Sequence, residues 1–223
     1  MMCRRMFSRY LVQPPRSILD IGCGTARDLG SLSRECSDCW GADCLPEVIA
    51  FAKIRRPHLH LKVGNMSVLR LGRTFDVIMC MGSAFMYALT NAEVAGVLDT
   101  FAAHSHPGTL LILDINNAAS YLGGEHFKKS SELRVSSPEL TAQALSSYDF
   151  DRRRQLLVRR RKWKIHGQGD VEDFCEYRMF FPAELEYLLN GRGFQVAGMF
   201  DNMQLRETEL RGPRLYVPAI FKP

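Results

Sequence analysis

A strand-like segment that ends in an acidic residue and turns through two glycines is the feature that most constrains this chain. The sequence DIGCGTA occupies positions 20–26, after the apolar run 17–19 and before a helix-like segment at 27–34. Because Gly22 and Gly24 have no side chains, a ligand can lie directly against the backbone of such a turn. Asp43 ends a second short apolar stretch, about 20 residues further on, as expected for a carboxylate that binds a ribose diol. Together the two features predict a site for a nucleoside-containing ligand.

Strand-like and helix-like segments alternate over the first two-thirds of the chain. The predicted strands are 17–21, 38–42, 59–63, 75–80 and 110–115, and the predicted helices are 27–34, 46–55 and 91–103, the last with Asn91 as its N-cap. This alternation predicts an α/β fold with a parallel sheet and right-handed crossovers. Ligands in such sheets bind beyond the carboxyl ends of the strands. One shared site is therefore predicted for the residues at or just past strand ends, which are Asp20, Asp43, Asn65, Met81 and Asp114.

The pattern changes after residue 115. Strand-like runs follow at about 141–150, 155–165 and 172–181, and a helix beginning near Pro182 then leads to two strands at 194–200 and 215–221. We interpret residues 1–223 as a single domain with a short N-terminal segment at 1–16. Residues 116–181 are interpreted as a β-rich insert that folds over the ligand-binding edge of the sheet.

The net charge of +5 comes largely from two basic runs, at 152–154 and 159–164. They fit either a phosphate-bearing partner or a pair of strands with a charged, solvated face. No apolar run approaches the roughly 18 residues that a membrane span requires, and the N-terminus lacks the apolar stretch of a signal peptide. We therefore expect a cytoplasmic protein without a membrane partner.

The seven cysteines are scattered, with one C-x-x-C pair at Cys36 and Cys39. A structural zinc site usually needs two such pairs, so we expect no metal. Reduced thiols fit a cytosolic setting.

Four motifs resemble those of the class I S-adenosylmethionine-dependent methyltransferases. They are ILDIGCGTA at 18–26, GAD at 41–43, VGNM at 63–66 and FDVIMC at 75–80, and residues 178–189 with Gly193 and Phe194 resemble the family's final helix and strand. The resemblance implies a Rossmann-like, seven-stranded, mostly parallel sheet with helices on both faces and a β-rich antiparallel insert after the fifth strand. It also implies S-adenosylmethionine as the cofactor and S-adenosylhomocysteine as its product.

Segments 71–75 and 81–87 resemble those of a narrower group of small-molecule methyltransferases from antibiotic pathways. This group includes N-methyltransferases that act on nucleotide-linked amino-deoxysugars. The resemblance implies methyl transfer to a nitrogen or oxygen atom of a small molecule that carries a phosphate or carboxylate.

The same resemblance implies the cofactor-binding residues, which are Asp20, Gly22, Cys23, Gly24, Asp43, Cys44, Asn65, Met66 and Met81. Asp20 would shape the turn and hold the ammonium end, and Asp43 would take the two ribose hydroxyls. An alternative for Asp43 is the N-cap of the next helix. Asn65 would accept a hydrogen bond from the adenine amino group, while Met66 would pack on the adenine or simply in the core.

Methyl transfer needs an aligned nucleophile and the exclusion of water, and a base only where the amine arrives protonated. Tyr87, Asp114 and His126 are the candidate catalytic residues, with Asn116 beside them. The alternatives are a loop histidine in solvent for His126 and a core tyrosine for Tyr87.

Two other functions are compatible with the same motifs. One is a methyltransferase-fold enzyme that catalyses a non-methylating, pericyclase-like reaction. The other is a nucleic-acid methyltransferase, which is disfavoured because CMGS at 80–83 stands where the Pro-Pro-Tyr type of motif occurs in enzymes that methylate base amino groups. A homodimer is left open.

Overall fold

The computed structural model describes residues 2–122, 127–136 and 140–223. The strands are β1 (Ser17–Ile21), β2 (Asp38–Asp43), β3 (His60–Val63), β4 (Phe75–Cys80), β5 (Ser105–Asn116), β6 (Ser130–Ser136), β7 (Thr141–Asp151), β8 (Leu156–Ile165), β9 (Val171–Arg178), β10 (Phe194–Val196) and β11 (Arg214–Phe221). The helices are α1 (Met2–Tyr10), α2 (Arg27–Leu32), α3 (Pro46–Arg55), α4 (Asn91–Ala103), α5 (Ala118–Leu122) and α6 (Pro182–Asn190), with a 3₁₀ turn at Ala84–Tyr87.

Seven strands form the main sheet, in the order β10-β11-β5-β4-β1-β2-β3. The pairs from β5 to β3 are all parallel, whereas β11 runs antiparallel to both of its neighbours. The predicted seven-stranded, mostly parallel sheet is confirmed. The carboxyl ends of β1, β2, β4 and β5 consequently lie at one edge, where a ligand site is expected.

Successive residues of the central strands enter two separate cores, one on each face of the sheet. Ile18 packs with α1, α2 and α3, whereas its neighbour Leu19 packs with α4 and α6. The same alternation separates Val77 from Ile78 in β4. All five residues of β1 are buried, which places the acidic end of this strand inside the protein rather than at its surface.

Strands β6 to β9 form a second, antiparallel sheet. This sheet confirms the predicted β-rich insert after the fifth strand. Ser130–Ser136 were missed as a strand because their alternating pattern is almost entirely polar and exposed. Strands β7 and β8 pair over ten residues, from Ala142 opposite Ile165 to Asp151 opposite Leu156.

The bounds of several predicted elements differ from the structure, and the predicted N-cap of α4 is wrong. Thr90, not Asn91, caps α4, because its hydroxyl accepts from the N–H of Glu93 while the Glu93 carboxylate accepts from the N–H of Thr90. Asn91 instead accepts from Arg178 at 2.6 Å. The strand predicted at 194–200 ends at Val196, and Phe200 forms only an isolated bridge to Tyr216.

Within the described ranges, no helix is both long and apolar enough to cross a membrane.

Candidate functional site

A cavity of about 690 Å³ opens at the carboxyl ends of β1, β2 and β4, and we call it the first cavity. The structure brings the nine residues that were predicted to bind the cofactor together in its lining: Asp20, Gly22, Cys23, Gly24, Asp43, Cys44, Asn65, Met66 and Met81. They come from four separate stretches of the sequence. Their contacts with a cofactor stay a prediction.

The turn after β1 brings bare backbone to the wall of the first cavity. Gly22 has a φ of +74° and Gly24 a φ of +52°, which glycine adopts without strain. A Cβ atom on Gly22 would lie 2.4 Å from the Cβ of Ala84, whereas a Cβ on Gly24 would have no atom within 4 Å. Gly22 is therefore required for packing against the 3₁₀ turn, and Gly24 leaves space that a ligand can use.

Asp43, at the end of β2, stabilises this turn through its carboxylate. One oxygen accepts from the N–H of Gly24 at 2.9 Å, and the other accepts from the N–H of Leu45 at 3.1 Å. Leu45 is the N-cap of α3, so Asp43 does not cap that helix. Because each carboxylate oxygen can accept a second hydrogen bond, Asp43 can still bind two hydroxyl groups of a ligand.

Asp20, at the end of β1, is almost completely buried in the wall of the first cavity. Its exposed fraction is 2%, and its Oδ1 atom has no hydrogen-bond partner among the described residues. Burial, reinforced by the negative charges of Asp28 and Asp43, raises the pKa of Asp20 to about 8. A buried carboxyl group without a partner is costly and marks a position that a ligand can satisfy.

Asn65 and Met66 follow β3 at another side of the first cavity. The Asn65 side-chain oxygen accepts from the N–H of Ser67 at 2.9 Å, which closes a local turn and leaves the amide exposed. Met66 is half-buried and packs against the core. Met66 thus lines the first cavity and also packs against the core, so its position fits both alternatives, contact with an adenine and packing in the core alone.

Acidic groups predominate in the first cavity. Its acidic lining residues are Asp20, Asp28, Asp43 and Glu93. Arg27 is the basic lining residue among those described, and it pairs with Asp28 at 3.3 Å while remaining largely exposed. This charge balance, the unpartnered carboxyl and the open glycine turn fit a cationic nucleoside such as S-adenosylmethionine.

A second cavity, of about 400 Å³, adjoins the first between the main sheet and the second sheet. The two cavities share Gly82 and Tyr87 in their linings. The basic lining residues of the second cavity are Lys128, Arg159 and Arg214, and its phenols are Tyr87, Tyr121, Tyr148 and Tyr177. The residues of the second cavity can therefore bind a polar ligand, and an anionic group in particular.

Arg214, the first residue of β11, is held by three side chains. It forms an ion pair with Asp114 in β5, and it donates to the hydroxyl of Ser83 at 2.9 Å and to Asn116 at 2.7 Å. The other oxygen of Asp114 accepts from the N–H of Gly82 at 3.1 Å. The Asp114–Arg214 pair thus fixes the backbone at the junction of the two cavities.

Tyr87 lies at the same junction, with its ring 5.2 Å from the ring of Tyr177 in β9. Arg159 donates to the Tyr177 hydroxyl at 2.8 Å and pairs with Asp173 at 3.1 Å. Because a guanidinium only donates, the oxygen of Tyr177 accepts here, and the Tyr177 hydroxyl is also hydrogen-bonded to the side chains of Tyr87 and Cys175. Burial raises the pKa values of both Tyr87 and Tyr177, so both phenols remain protonated at neutral pH.

Comparison with known sequences finds a family match and curated relatives. Residues 18–108 match the family model of the methyltransferase domain. A segment of 98 residues is 32% identical to the dTDP-3-amino-3,4,6-trideoxy-alpha-D-glucopyranose N,N-dimethyltransferase of Streptomyces venezuelae, covering 44% of this chain and 41% of that relative. An equally long segment is 32% identical to the dTDP-3-amino-3,6-dideoxy-alpha-D-glucopyranose N,N-dimethyltransferase of Streptomyces fradiae, covering 44% of this chain and 38% of that relative. The matches thus span about two-fifths of the length of these relatives.

Solved structures match over nearly the whole chain. An S-adenosylmethionine-dependent methyltransferase from Clostridium acetobutylicum superposes with a TM-score of 0.86 at 15% identity, over 100% of this chain and 90% of that chain. The chain has a methyltransferase fold. SAM-bound CalS10, an amino pentose methyltransferase from Micromonospora echinaspora, matches with a TM-score of 0.78 at 22% identity, over 97% of this chain and 87% of that chain. The resemblance read from the motifs is confirmed.

The three candidate catalytic residues have different positions in this methyltransferase fold. Tyr87 lies where the two cavities meet. Asp114 is not among the described residues that line either cavity. Its carboxylate instead contacts two lining residues, Arg214 and Gly82. The geometry favours a positioning role for Asp114, while His126 lies outside the described residues. Catalytic roles for all three stay predictions.

Sequence reasoning missed most of the second cavity. Arg214, Tyr148 and Tyr177 were not singled out, and Arg159 was noted only as part of a basic run. The sequence signal that could have found these residues is the alternation of side chains between the two faces of a strand. Leu157, Arg159 and Arg161 share one face of β8, and Tyr148 lies directly opposite Arg159 in the register.

Proposed function

We propose that this chain is an S-adenosylmethionine-dependent methyltransferase that methylates a nitrogen atom of a small molecule. The observation that carries the proposal is the convergence of nine motif residues on the first cavity, which meets a second cavity at Gly82 and Tyr87. A cofactor site that opens into a substrate site at one point is what a direct transfer between two bound molecules requires.

The first cavity would hold the cofactor. Asp43 would accept from the ribose hydroxyls, Asn65 and Met66 would contact the adenine, and Asp20 would face the ammonium group. When bound, S-adenosylmethionine supplies an electrophilic methyl group on a sulfonium that is already a good leaving group. The acidic lining favours this cation over neutral nucleosides through electrostatic attraction.

The residues at the junction would align the substrate and exclude water. Asp114 and Arg214 hold the N–H of Gly82 and the hydroxyl of Ser83 in place, and Tyr87 would position the acceptor atom. A neutral amine then needs no strong base. With their protonated phenols, Tyr87 and Tyr177 would serve as hydrogen-bond donors rather than as bases.

The substrate would be an amine with an anionic group, and a nucleotide-linked amino sugar is our specific proposal. Lys128, Arg159 and Arg214 provide the cationic lining that such a substrate needs. The curated relatives are named as dimethyltransferases of dTDP-linked amino sugars, which supports the same substrate class for this chain.

We also propose a cytoplasmic location and a homodimer. The seven free cysteines are compatible with a reducing compartment. Leu145 and Phe174 are each 60% exposed on the same face of the second sheet, where a second copy would cover them. Sedimentation measurements over a range of protein concentrations test the assembly, and a monomer at every concentration would contradict it.

Transfer of a labelled methyl group tests the proposed activity. Incubation with methyl-labelled S-adenosylmethionine and a dTDP-linked amino sugar should give a labelled sugar nucleotide together with S-adenosylhomocysteine. The matching sugar nucleotide with a hydroxyl in place of the amine should remain unlabelled. If the protein binds neither S-adenosylmethionine nor S-adenosylhomocysteine in calorimetry, the proposal fails.

A further inference from the structure

The buried carboxyl group of Asp20 needs a partner that the described protein does not provide. Its Oδ1 atom is unpartnered, and the residue is 98% buried in the wall of the first cavity. Most buried polar side chains in proteins are hydrogen-bonded, and a buried charge without a partner is more costly still. The group must therefore be neutral, or be satisfied by a ligand.

The groups around Asp20 favour its neutral form. Asp28 from α2 and Asp43 from β2 each add negative charge at this position. Four thiols among the described residues are also in electrostatic contact with Asp20, from α1, the turn after β1, β2 and β4. They are those of Cys3, Cys23, Cys39 and Cys80. The basic residue of the cavity lining, Arg27, is largely exposed and pairs with Asp28.

We propose that Asp20 holds a proton in the cofactor-free protein and releases it when the ammonium group of the cofactor binds. The inference rests on the proposed function, since it takes S-adenosylmethionine or its product as the ligand. A protonated carboxyl group carries no charge and tolerates burial, whereas an ammonium group beside it stabilises the carboxylate. Cofactor binding is thereby coupled to the release of one proton.

The coupling gives the cofactor affinity a defined dependence on pH. The pKa of Asp20 is about 8 in the free protein, so at pH 6 to 7 almost every molecule must lose this proton on binding. We expect the dissociation constant to fall about tenfold for each pH unit in this range. The gain in affinity should end near pH 8, where Asp20 becomes ionised in the free protein, and the affinity should fall again at higher pH as the amino group of the ligand loses its own proton.

Calorimetry in two buffers with different ionisation enthalpies measures the released proton directly. With S-adenosylhomocysteine as the ligand at pH 7, the wild-type protein should release about nine-tenths of a proton. The amino group of the ligand is still protonated at this pH. 5′-Methylthioadenosine, which has the nucleoside but no amino-acid part, should bind without release. Equal release with both ligands would overturn the proposal.

Two variants assign the proton to a residue. Asp20→Asn should bind S-adenosylhomocysteine without proton release and with a flat dependence on pH, whereas Asp38→Asn, at an acid of β2 that pairs with Arg73 away from both cavities, should keep the release. Release that persists in Asp20→Asn overturns the inference. If Asp20→Asn does not fold, the comparison of the two ligands on the wild-type protein still decides. Binding without proton release refutes only this inference, whereas a failure to bind any of these ligands refutes the proposed function as well.

Discussion

The two cavities are constructed in different ways. The first is built from residues 20–93, at the ends of adjacent parallel strands, and its charges are mostly acidic. The second combines side chains from both sheets, from Gly82 to Arg214, and its charges are basic. The lining of the first cavity can therefore be encoded in short local motifs, whereas the lining of the second depends on distant strands brought together by the fold.

The largest expected effect contrasts the buried, unpartnered Asp20 with the ion-paired Asp114. Since the pKa of Asp20 is raised, its contribution to stability is fully present below pH 4 and is lost as pH rises towards 8. Between pH 5 and pH 8, the cofactor-free wild type should lose about 4 kcal/mol of unfolding free energy relative to Asp20→Asn. Asp114→Asn should instead destabilise the protein by about 1 to 3 kcal/mol, because Arg214 loses its ion-pair partner.

Urea unfolding of the three proteins at pH 5 and pH 8 measures these differences. If the unfolding free energy of Asp20→Asn depends on pH in the same way as that of the wild type, Asp20 does not have a raised pKa in the folded protein. The difference described between the two cavities would then be wrong on this point.

The next effect tests the ribose assignment. Asp43→Ala should weaken S-adenosylhomocysteine binding by about 100-fold, because two hydrogen bonds to a charged acceptor are lost together with the bond that holds Gly24. Asp38→Ala, at the other end of β2, is the control, since Asp38 pairs with Arg73 away from both cavities. Calorimetric titration checks both variants, and equal affinities would show that the ribose lies elsewhere.

The glycine turn offers a matched pair of smaller effects. Gly22→Ala should lower the unfolding free energy by about 2 kcal/mol, since its Cβ clashes with that of Ala84 and its φ is positive. Gly24→Ala should cost about 1 kcal/mol, from backbone strain alone. Thermal unfolding with and without S-adenosylhomocysteine measures both variants. A larger loss for Gly24→Ala would contradict the packing described for this turn.

The smallest expected effect belongs to the second cavity. Lys128→Met should raise the KM for an anionic substrate about threefold, because Lys128 is exposed and an exposed ion pair contributes little, while cofactor affinity stays unchanged. Arg160→Met, on the opposite face of the second sheet, should change neither value. Steady-state kinetics with the sugar nucleotide measures the KM of both variants. If Lys128→Met also binds the cofactor more weakly, the two cavities are not separate sites.

The difference between the two cavities also explains which parts of the fold and of the site could be predicted from the sequence. β1, β4, α3 and α4 were predicted with their observed bounds, because buried strands and amphipathic helices leave clear local patterns. The residues of the first cavity were predicted for the same reason. Strand β6 and the position of Arg214 were not, because the pairing of polar strands and contacts across distant segments depend on the fold as a whole.

The ion pair between Asp114 and Arg214 joins strands whose residues lie 100 positions apart in the chain. Bringing such distant positions together costs the conformational entropy of closing a large loop. A chain in which β11 has not yet docked would already contain every described residue that lines the first cavity, but the Arg214 guanidinium of the second cavity would not be in place. Completion of the second cavity thus depends on the last strand of the main sheet, whereas completion of the first does not.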